Sequence, residues 1–256
     1  MTGIGSAAVV AVAGVAAGMI NTVVGSGTLI TFPVLLSLGV PPVTANVTNT
    51  IGLVPGSASG AWGYRRELTG QRPRLMRYGT ASFIGGIIGA LLLLVLPQGV
   101  FKAVVPILIL LALALVVVQP RLSKRFVSAD GQHGEPTGRR RLWLWILILA
   151  TGIYGGYFGA AQGILLVAAM GILLDSDLQR VNALKNVLAG LVNLVAGLMF
   201  VVLAHPNWTY VAIIAVGSTI GGQLGAVVGR RLPQAVLRTV IVAVGLVALT
   251  KFVFFS

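Results

Sequence analysis

Residues 3–38 read GIGSAAVVAVAGVAAGMINTVVGSGTLITFPVLLSL, and none of them is Asp, Glu, Lys or Arg. A membrane-spanning helix needs about 20 apolar residues, so this block is well over the length of one span. Small and polar residues, Gly25-Ser26-Gly27-Thr28, interrupt it. We therefore expect a transmembrane helix followed by a second, shorter segment that returns across the bilayer.

The rest of the composition agrees with a membrane location. The chain has 256 residues, of which 57% are hydrophobic and 9% are charged, and its mean hydropathy is +0.98. Soluble domains carry about 25% charged residues. Residues 142–174 and 186–229 also lack charged side chains, and no alternating apolar–polar pattern favours a barrel. The sequence predicts an all-α polytopic membrane protein embedded in the lipid bilayer.

The formal net charge of +13 is explained by where the basic residues fall. Most of them lie in segments 64–77 and 119–141, and cytoplasmic loops collect Lys and Arg in this way. We therefore place both segments on the cytoplasmic side of the plasma membrane and expect no nucleic-acid partner. The chain has no cysteine, and we expect no metal and no cofactor. The basic residues in these segments are Arg65, Arg66, Arg72, Arg74, Arg77, Arg121, Lys124, Arg125, Arg139, Arg140 and Arg141.

The chain contains a tandem repeat. An offset of 136 residues places Gly85-Gly86-x-x-Gly89-Ala90 on Gly221-Gly222-x-x-Gly225-Ala226, and Leu96-Pro97-Gln98 on Leu232-Pro233-Gln234. We therefore expect a first repeat at 1–118, a cytoplasmic linker at 119–141 and a second repeat at 142–256. Each repeat has four hydrophobic blocks, which gives eight spans and up to ten helical segments. The blocks are 3–38, 43–63, 75–96, 99–118, 142–174, 181–204, 208–229 and 234–255.

Loop charges indicate that the two repeats are inverted. Loop 64–77 is strongly basic, whereas its equivalent around His205-Pro206-Asn207 has no formal charge, and Arg230-Arg231 precede the second turn. Inversion needs an odd number of crossings, which a break in the first block of each repeat supplies. The second break would lie at Gly159-Ala160-Ala161-Gln162-Gly163. Inverted repeats with broken helices are typical of secondary transporters. The alternative is one long tilted helix per block, with parallel repeats.

Polar residues form a stripe in each repeat. Asn182, Asn186 and Asn193 share one face of a helix, with Lys185 about 60° to the side. The repeat aligns them with Asn46, Thr50, Ser57 and Asn49. The chain interruptions add backbone N–H groups at helix N-termini, which bind anions. The candidate substrate-binding residues are Asn21, Ser26, Gly27, Thr28, Asn46, Asn49, Thr50, Ser57, Gln162, Gly163, Asn182, Lys185, Asn186 and Asn193.

Two plainer interpretations stay open at this point. The amides in each stripe could only bond neighbouring helices, as polar residues in membrane helices often do. Lys185 lies close to Arg180 and could instead extend to the cytoplasmic surface. Gly52-x-x-x-Gly56-x-x-x-Gly60 and the paired glycine motifs are explained by close helix packing.

Catalytic groups are missing from the spans. The acidic residues Glu67, Asp130, Glu135, Asp175 and Asp177 lie in or beside loops, and so do His133 and His205. The predicted interior is therefore neutral to positive, which suits an anion, and we expect no enzyme.

The chain resembles the TauE/SafE sulfite exporter family, also called the toluene sulfonate uptake permeases. The resemblance rests on Gly25-Ser26-Gly27-Thr28-Leu29-Ile30 with Pro33 and Gly39, on Tyr64-Arg65-Arg66, on the paired glycine motifs and on Asn182-Ala183-Leu184-Lys185-Asn186. Ser26 and Thr28 stand where family members often have glycines. The resemblance implies a transporter of small sulfur-containing anions such as sulfite, thiosulfate or organosulfonates.

We expect an alternating-access exporter of such anions. An anion channel of the same fold, or a non-transporting subunit whose basic loops dock a cytosolic partner, are the alternatives. The sequence leaves the substrate, the coupling ion and the oligomeric state open, including assembly as a homo-oligomer.

Overall fold

The computed structural model describes residues 3–128, 136–174, 177–229, 239–246 and 249–250. Within these ranges every regular element is helical, which confirms the predicted all-α class. Some of the features that supported the predictions lie outside the described residues. These are Asp130, His133, Glu135, Asp175, Arg230, Arg231 and the second turn motif at 232–234.

The first repeat contributes five helices, which are α1 (Ile4–Val23), α2 (Thr28–Ser37), α3 (Pro42–Gly63), α4 (Arg72–Val95) and α5 (Gln98–Ser128). The second repeat contributes α6 (Gly138–Tyr157), α7 (Gln162–Leu173), α8 (Leu178–Leu203) and α9 (Trp208–Leu224), which ends in a π-helical turn at Gly225–Gly229. Helix α5 continues to Ser128, so regular structure covers the first part of the predicted linker.

Five helical stretches are long and apolar enough to cross a membrane. They are Ile4–Val23, Arg72–Val95, Gly99–Val118, Leu178–Leu203 and Trp208–Val228. Large apolar side chains also point outward from them; Val95 is 77% exposed, Ile107 63% and Val216 65%. Such surfaces are stable against lipid and unfavourable against water. The chain is therefore a multi-pass membrane protein.

The first hydrophobic block of each repeat is broken, as predicted. Helix α1 ends at Val23 and the short helix α2 begins at Thr28, while α6 ends at Tyr157 and the short helix α7 begins at Gln162. Both short helices are apolar, and at 10 and 12 residues they are too short to cross a bilayer alone.

The repeated glycine motifs hold the two repeats together. Gly85 and Gly89 of α4 lie against the backbone of α6. Their equivalents, Gly221 of α9 and Gly225 of the π-helical turn, lie against the backbone of α1. In α3, Gly52 packs against Ile214 of α9 and Gly56 packs against Ser218 of α9. The predicted role of these glycines in close helix packing is confirmed.

The equivalent helices α3 and α8 run in opposite directions where they touch. Ser57 faces Gly190, whereas Ile51, one and a half turns earlier in α3, faces Gly197. The residue number therefore rises along α8 as it falls along α3. Equivalent helices that are antiparallel at their contact mean that the repeats are inverted. Asn193 and Ser57, which are themselves equivalent, are in contact through Asn193 Nδ2 and Ser57 Oγ at 3.4 Å, so the pseudo-two-fold axis passes beside them.

Candidate functional site

The two chain breaks adopt related backbone conformations. Gly25 has φ +85° and Ala161 has φ +59°, and these two residues are equivalent in the repeat. The left-handed conformation suits glycine and costs an alanine about 1–2 kcal/mol. The first break therefore has the residue that its geometry favours, and the second holds the same geometry with a strained alanine.

The breaks meet each other in the interior of the protein, where Gly25 and Gly163 are buried. The backbone N–H of Gly163 donates to the carbonyl oxygen of Gly25 over 3.0 Å. Their Cα atoms are packed so closely that a Cβ on either residue would collide with the backbone of the other. Both residues must therefore be glycine for the two broken segments to touch.

Lys185 lies at the carboxyl end of α1. Its ammonium group donates to the carbonyl oxygens of Asn21 (3.1 Å) and Thr22 (2.9 Å), and the side chain is 1% exposed. Carbonyl groups in the last turn of a helix lack intrahelical partners and carry partial negative charge. The geometry favours an interior role for this lysine over the interpretation that it extends to the membrane surface.

Two amides from α8 reach the same end of α1. Asn186 Nδ2 donates to the carbonyl oxygen of Thr22 (3.3 Å), and Asn182 Nδ2 lies 3.5 Å from the same oxygen and 2.9 Å from the hydroxyl of Tyr64. The stripe predicted on α8 thus faces the end of a helix from the other repeat.

The polar stripe of the first repeat makes an equivalent contact with the end of α6, but only through neutral side chains. Asn46 Nδ2 of α3 donates to the carbonyl oxygen of Tyr157 at the carboxyl end of α6 (2.9 Å). Asn49, the equivalent of Lys185, turns instead to α2, where its Nδ2 donates to Thr28 Oγ1 (3.1 Å) and its Oδ1 accepts from Thr31 Oγ1. Each polar stripe therefore caps the broken helix of the opposite repeat, but one stripe does so with a cation.

The remaining predicted residues lie close to the axis or on their own helix. Asn21 Nδ2 donates to Ser57 Oγ (3.4 Å), which also accepts from Asn193. Thr50 Oγ1 donates to the carbonyl oxygen of Asn46 in its own helix (2.9 Å). Thr50 therefore contributes less to the contact between repeats than its position in the stripe suggested.

Several buried polar atoms at the breaks have no partner. Ser26 Oγ and Gln162 Nε2 are both without a hydrogen bond, and their side chains are 0% and 3% exposed. Asn46 Oδ1 is in the same condition. Ser26 and Gln162 are equivalent in the repeat and stand at the N-termini of α2 and α7. An unpaired buried donor costs about 1–3 kcal/mol, so such a pair points to a ligand that completes the site.

Backbone donors add to this group at the start of α2. Among the described residues, no acceptor is recorded for the backbone N–H groups of Ser26, Gly27 or Thr28. The N-terminus of a helix offers several N–H groups and the positive end of its dipole. The arrangement can therefore accept a small anion without a metal, and the described residues contain no cluster of His, Asp or Glu that would hold one.

Sequence reasoning missed two members of this network. Tyr64 opens the basic segment 64–77 and so does not stand out as part of a polar stripe. Its equivalent in the second repeat, Phe200, is apolar, so the alignment of the repeats gives no matching polar pair. Thr31 has the apolar equivalent Val167. Thr31 could have been found because it follows Thr28 by three residues and shares its helix face.

Comparison with known proteins agrees with this architecture. A family model described as sulfite exporter TauE/SafE matches residues 10–252. The probable membrane transporter protein YfcA of Escherichia coli K12 is 26% identical over 245 residues, which cover 94% of this chain and 87% of that protein. A probable membrane transporter protein of Haemophilus influenzae is 26% identical over 98% of this chain and 96% of its own.

A third relative, the probable membrane transporter protein ORF9 of Sinorhizobium sp, is 28% identical over 84% of this chain and 80% of its own. No solved structure matches the chain significantly. Because the family model extends over nearly the whole sequence, the protein belongs to the TauE/SafE sulfite exporter family.

Proposed function

We propose that the protein is a secondary transporter that exports small sulfur-containing anions, such as sulfite, thiosulfate or organosulfonates, by alternating access. The observation that carries the proposal is the pair of buried, unpartnered donors, Ser26 Oγ and Gln162 Nε2, at equivalent N-termini of two broken segments. The family description and the relatives' names support transport as the activity.

The chemistry of the site favours an oxyanion. Sulfite, thiosulfate and sulfonates each present several acceptor oxygens, and the start of α2 offers the Ser26 hydroxyl together with the backbone N–H groups of Ser26, Gly27 and Thr28. Lys185 uses two of its three N–H donors on α1. Its positive charge lowers the free energy of an anion held between the broken segments.

Inverted repeats supply a route for alternating access. Exchanging the conformations of two inverted repeats converts a state open to one side into a state open to the other. The contact between Gly25 and Gly163 is the point about which such an exchange would take place. An inside-negative potential then drives an anion outward with about 2.3 kcal/mol per charge per 100 mV.

The proposal includes an orientation and a division of the chain. Segments 64–77 and 119–141 lie in the cytoplasm, the latter as the linker between repeats 1–118 and 142–256, and the membrane is the plasma membrane. This orientation is testable with single cysteines because the native protein has none. Val40→Cys and Pro206→Cys should both react with a membrane-impermeant maleimide added outside intact cells.

Flux in proteoliposomes tests the function. The purified protein should take up labelled sulfite or thiosulfate with saturation, and chloride should not compete. Ser26→Ala and Gln162→Ala should each lower uptake about tenfold or more, whereas Ser37→Ala, at the exposed far end of α2, should leave it unchanged. Conductance without saturation would indicate a channel instead, and no flux of any tested anion would overturn transport altogether.

A further inference from the structure

The buried ammonium of Lys185 is held by carbonyl oxygens. Its two recorded partners are the main-chain oxygens of Asn21 and Thr22, and no carboxylate contacts it among the residues that the structure describes. A buried cation is normally paired with an anion or coordinated by several oxygens. Here the oxygens come from the end of a helix.

The break in the first block creates this group of oxygens. The backbone N–H groups of Val24 and Gly25 both donate to the carbonyl oxygen of Ile20, at 2.7 and 3.1 Å. The next two carbonyl groups, those of Asn21 and Thr22, therefore receive their donors from α8. In secondary transporters, carbonyl groups at the C-terminal ends of half-helices coordinate coupling cations such as Na⁺.

We propose that the carboxyl end of α1 is a monovalent-cation site in which the Lys185 ammonium takes the place of a free Na⁺ or K⁺ ion. The inference deepens the proposed function, on which it rests, by assigning the coupling ion. A cation that is covalently attached never leaves the site, so anion export needs no sodium or potassium there.

The proposed cation site is confined to the carboxyl end of α1 and has no counterpart at the end of α6. At the carboxyl end of α6 the equivalent contact is made by the neutral amide of Asn46, and Asn49 is directed to Thr28 and Thr31. That end has no cation to replace. Removing Asn49 should therefore create no requirement for an ion.

Shortening the lysine should open the site to a free ion. In Lys185→Ala the oxygens of Asn21 and Thr22 lose their ammonium partner. The amides of Asn182 and Asn186 already reach Thr22, and each can rotate to present its oxygen, because Asn carries both a donor and an acceptor. Lys185→Met removes the charge but keeps most of the side-chain volume, so it should leave no room for an ion.

Thermal unfolding of the purified full-length variants tests ion binding without any sulfur-containing anion, with chloride as the counter-ion throughout. Going from choline to 150 mM Na⁺ or K⁺ should raise the melting temperature of Lys185→Ala by several degrees. The wild type, Lys185→Met and Asn49→Ala should shift by less than about one degree. An Ala variant that does not respond to either ion, or a Met variant that responds equally, would overturn the cation site.

Anion flux separates this inference from the proposed function. Wild-type export should be equal in choline, Na⁺ and K⁺, and the Ala variant should be inactive in choline and recover at least several-fold in one of the two ions. Wild-type flux that requires Na⁺ would contradict the inference while leaving transport intact. A wild type that moves no anion in any medium would contradict the proposed function, and the melting-temperature result would still decide the ion site.

Discussion

The carboxyl ends of α1 and α6 are equivalent in the repeat, yet different chemistry stabilises them. Lys185 and two asparagines surround the last carbonyl groups of α1, whereas at the end of α6 the carbonyl oxygen of Tyr157 accepts from the neutral amide of Asn46. Duplication supplied the same backbone twice, and divergence at a single stripe position, Asn49 against Lys185, made one half charged. A scaffold with internal symmetry can therefore enclose an asymmetric site.

The largest effect should come from separating the two breaks. In Gly25→Ala the new methyl group collides with the backbone of Gly163, at a residue whose φ of +85° is itself unfavourable for alanine. We expect transport to be lost and the free energy of unfolding to fall by about 3 kcal/mol or more, measured by anion flux and by thermal melting.

Gly39→Ala is the matched control for this substitution. Gly39 has a similar φ of +81°, but a Cβ there would meet no atom within 4 Å. It should lose only the conformational contribution of about 1–2 kcal/mol. Equal losses in the two variants would show that the contact between the breaks has no energetic role.

A second, smaller effect should follow from making the stripes alike. Lys185→Asn gives both repeats an asparagine at the equivalent position and removes the interior cation. In buffer free of Na⁺ and K⁺ we expect sulfite flux to fall about tenfold or more, equivalent to at least about 1.4 kcal/mol of lost anion stabilisation. Lys102→Asn, at an exposed lysine of α5, should transport like the wild type; if Lys185→Asn does too, the cation has no part in transport.

Part of this arrangement was predictable from the sequence. The alignment of Asn46 and Asn49 with Asn182 and Lys185 identified both stripes, because a duplication keeps helix faces in register. The partners of the stripes were not predictable, since they are main-chain carbonyl groups of the opposite repeat, at Asn21, Thr22 and Tyr157. The amino-acid sequence carries no direct signal for a carbonyl group that lacks an intrahelical hydrogen-bond partner where a helix breaks.

The helices themselves were predicted more completely than the site. The eight hydrophobic blocks gave their number and approximate positions, and the small residues around Gly25 and Ala161 gave the breaks. The left-handed conformation of Ala161 was hidden, because nothing in its sequence distinguishes it from the neighbouring Ala160. Tertiary contacts at Gly25 and Gly163 hold that backbone in place.

The smallest expected effect concerns this alanine. Ala161→Gly places at the second break the residue type that the first break has at Gly25. Relief of about 1–2 kcal/mol of strain is opposed by about 0.4–1 kcal/mol from the greater freedom of unfolded glycine. Thermal melting should therefore show a free energy of unfolding that is unchanged or raised by up to about 1.6 kcal/mol, with flux retained. A clear destabilisation would contradict the left-handed conformation of Ala161.

Disulfide cross-linking of paired cysteines tests the inverted packing of the repeats most directly, since the native chain has none. Ser57→Cys with Gly190→Cys, and Ile51→Cys with Gly197→Cys, should cross-link rapidly under mild oxidation, because a Cβ at position 190 would lie 3.2 Å from Ser57 Cβ and one at 197 within 4 Å of Ile51. The pair Ser57→Cys with Gly197→Cys should not. Cross-linking of that last pair, with the first two unreactive, would contradict the antiparallel contact of α3 and α8 and with it the inverted site.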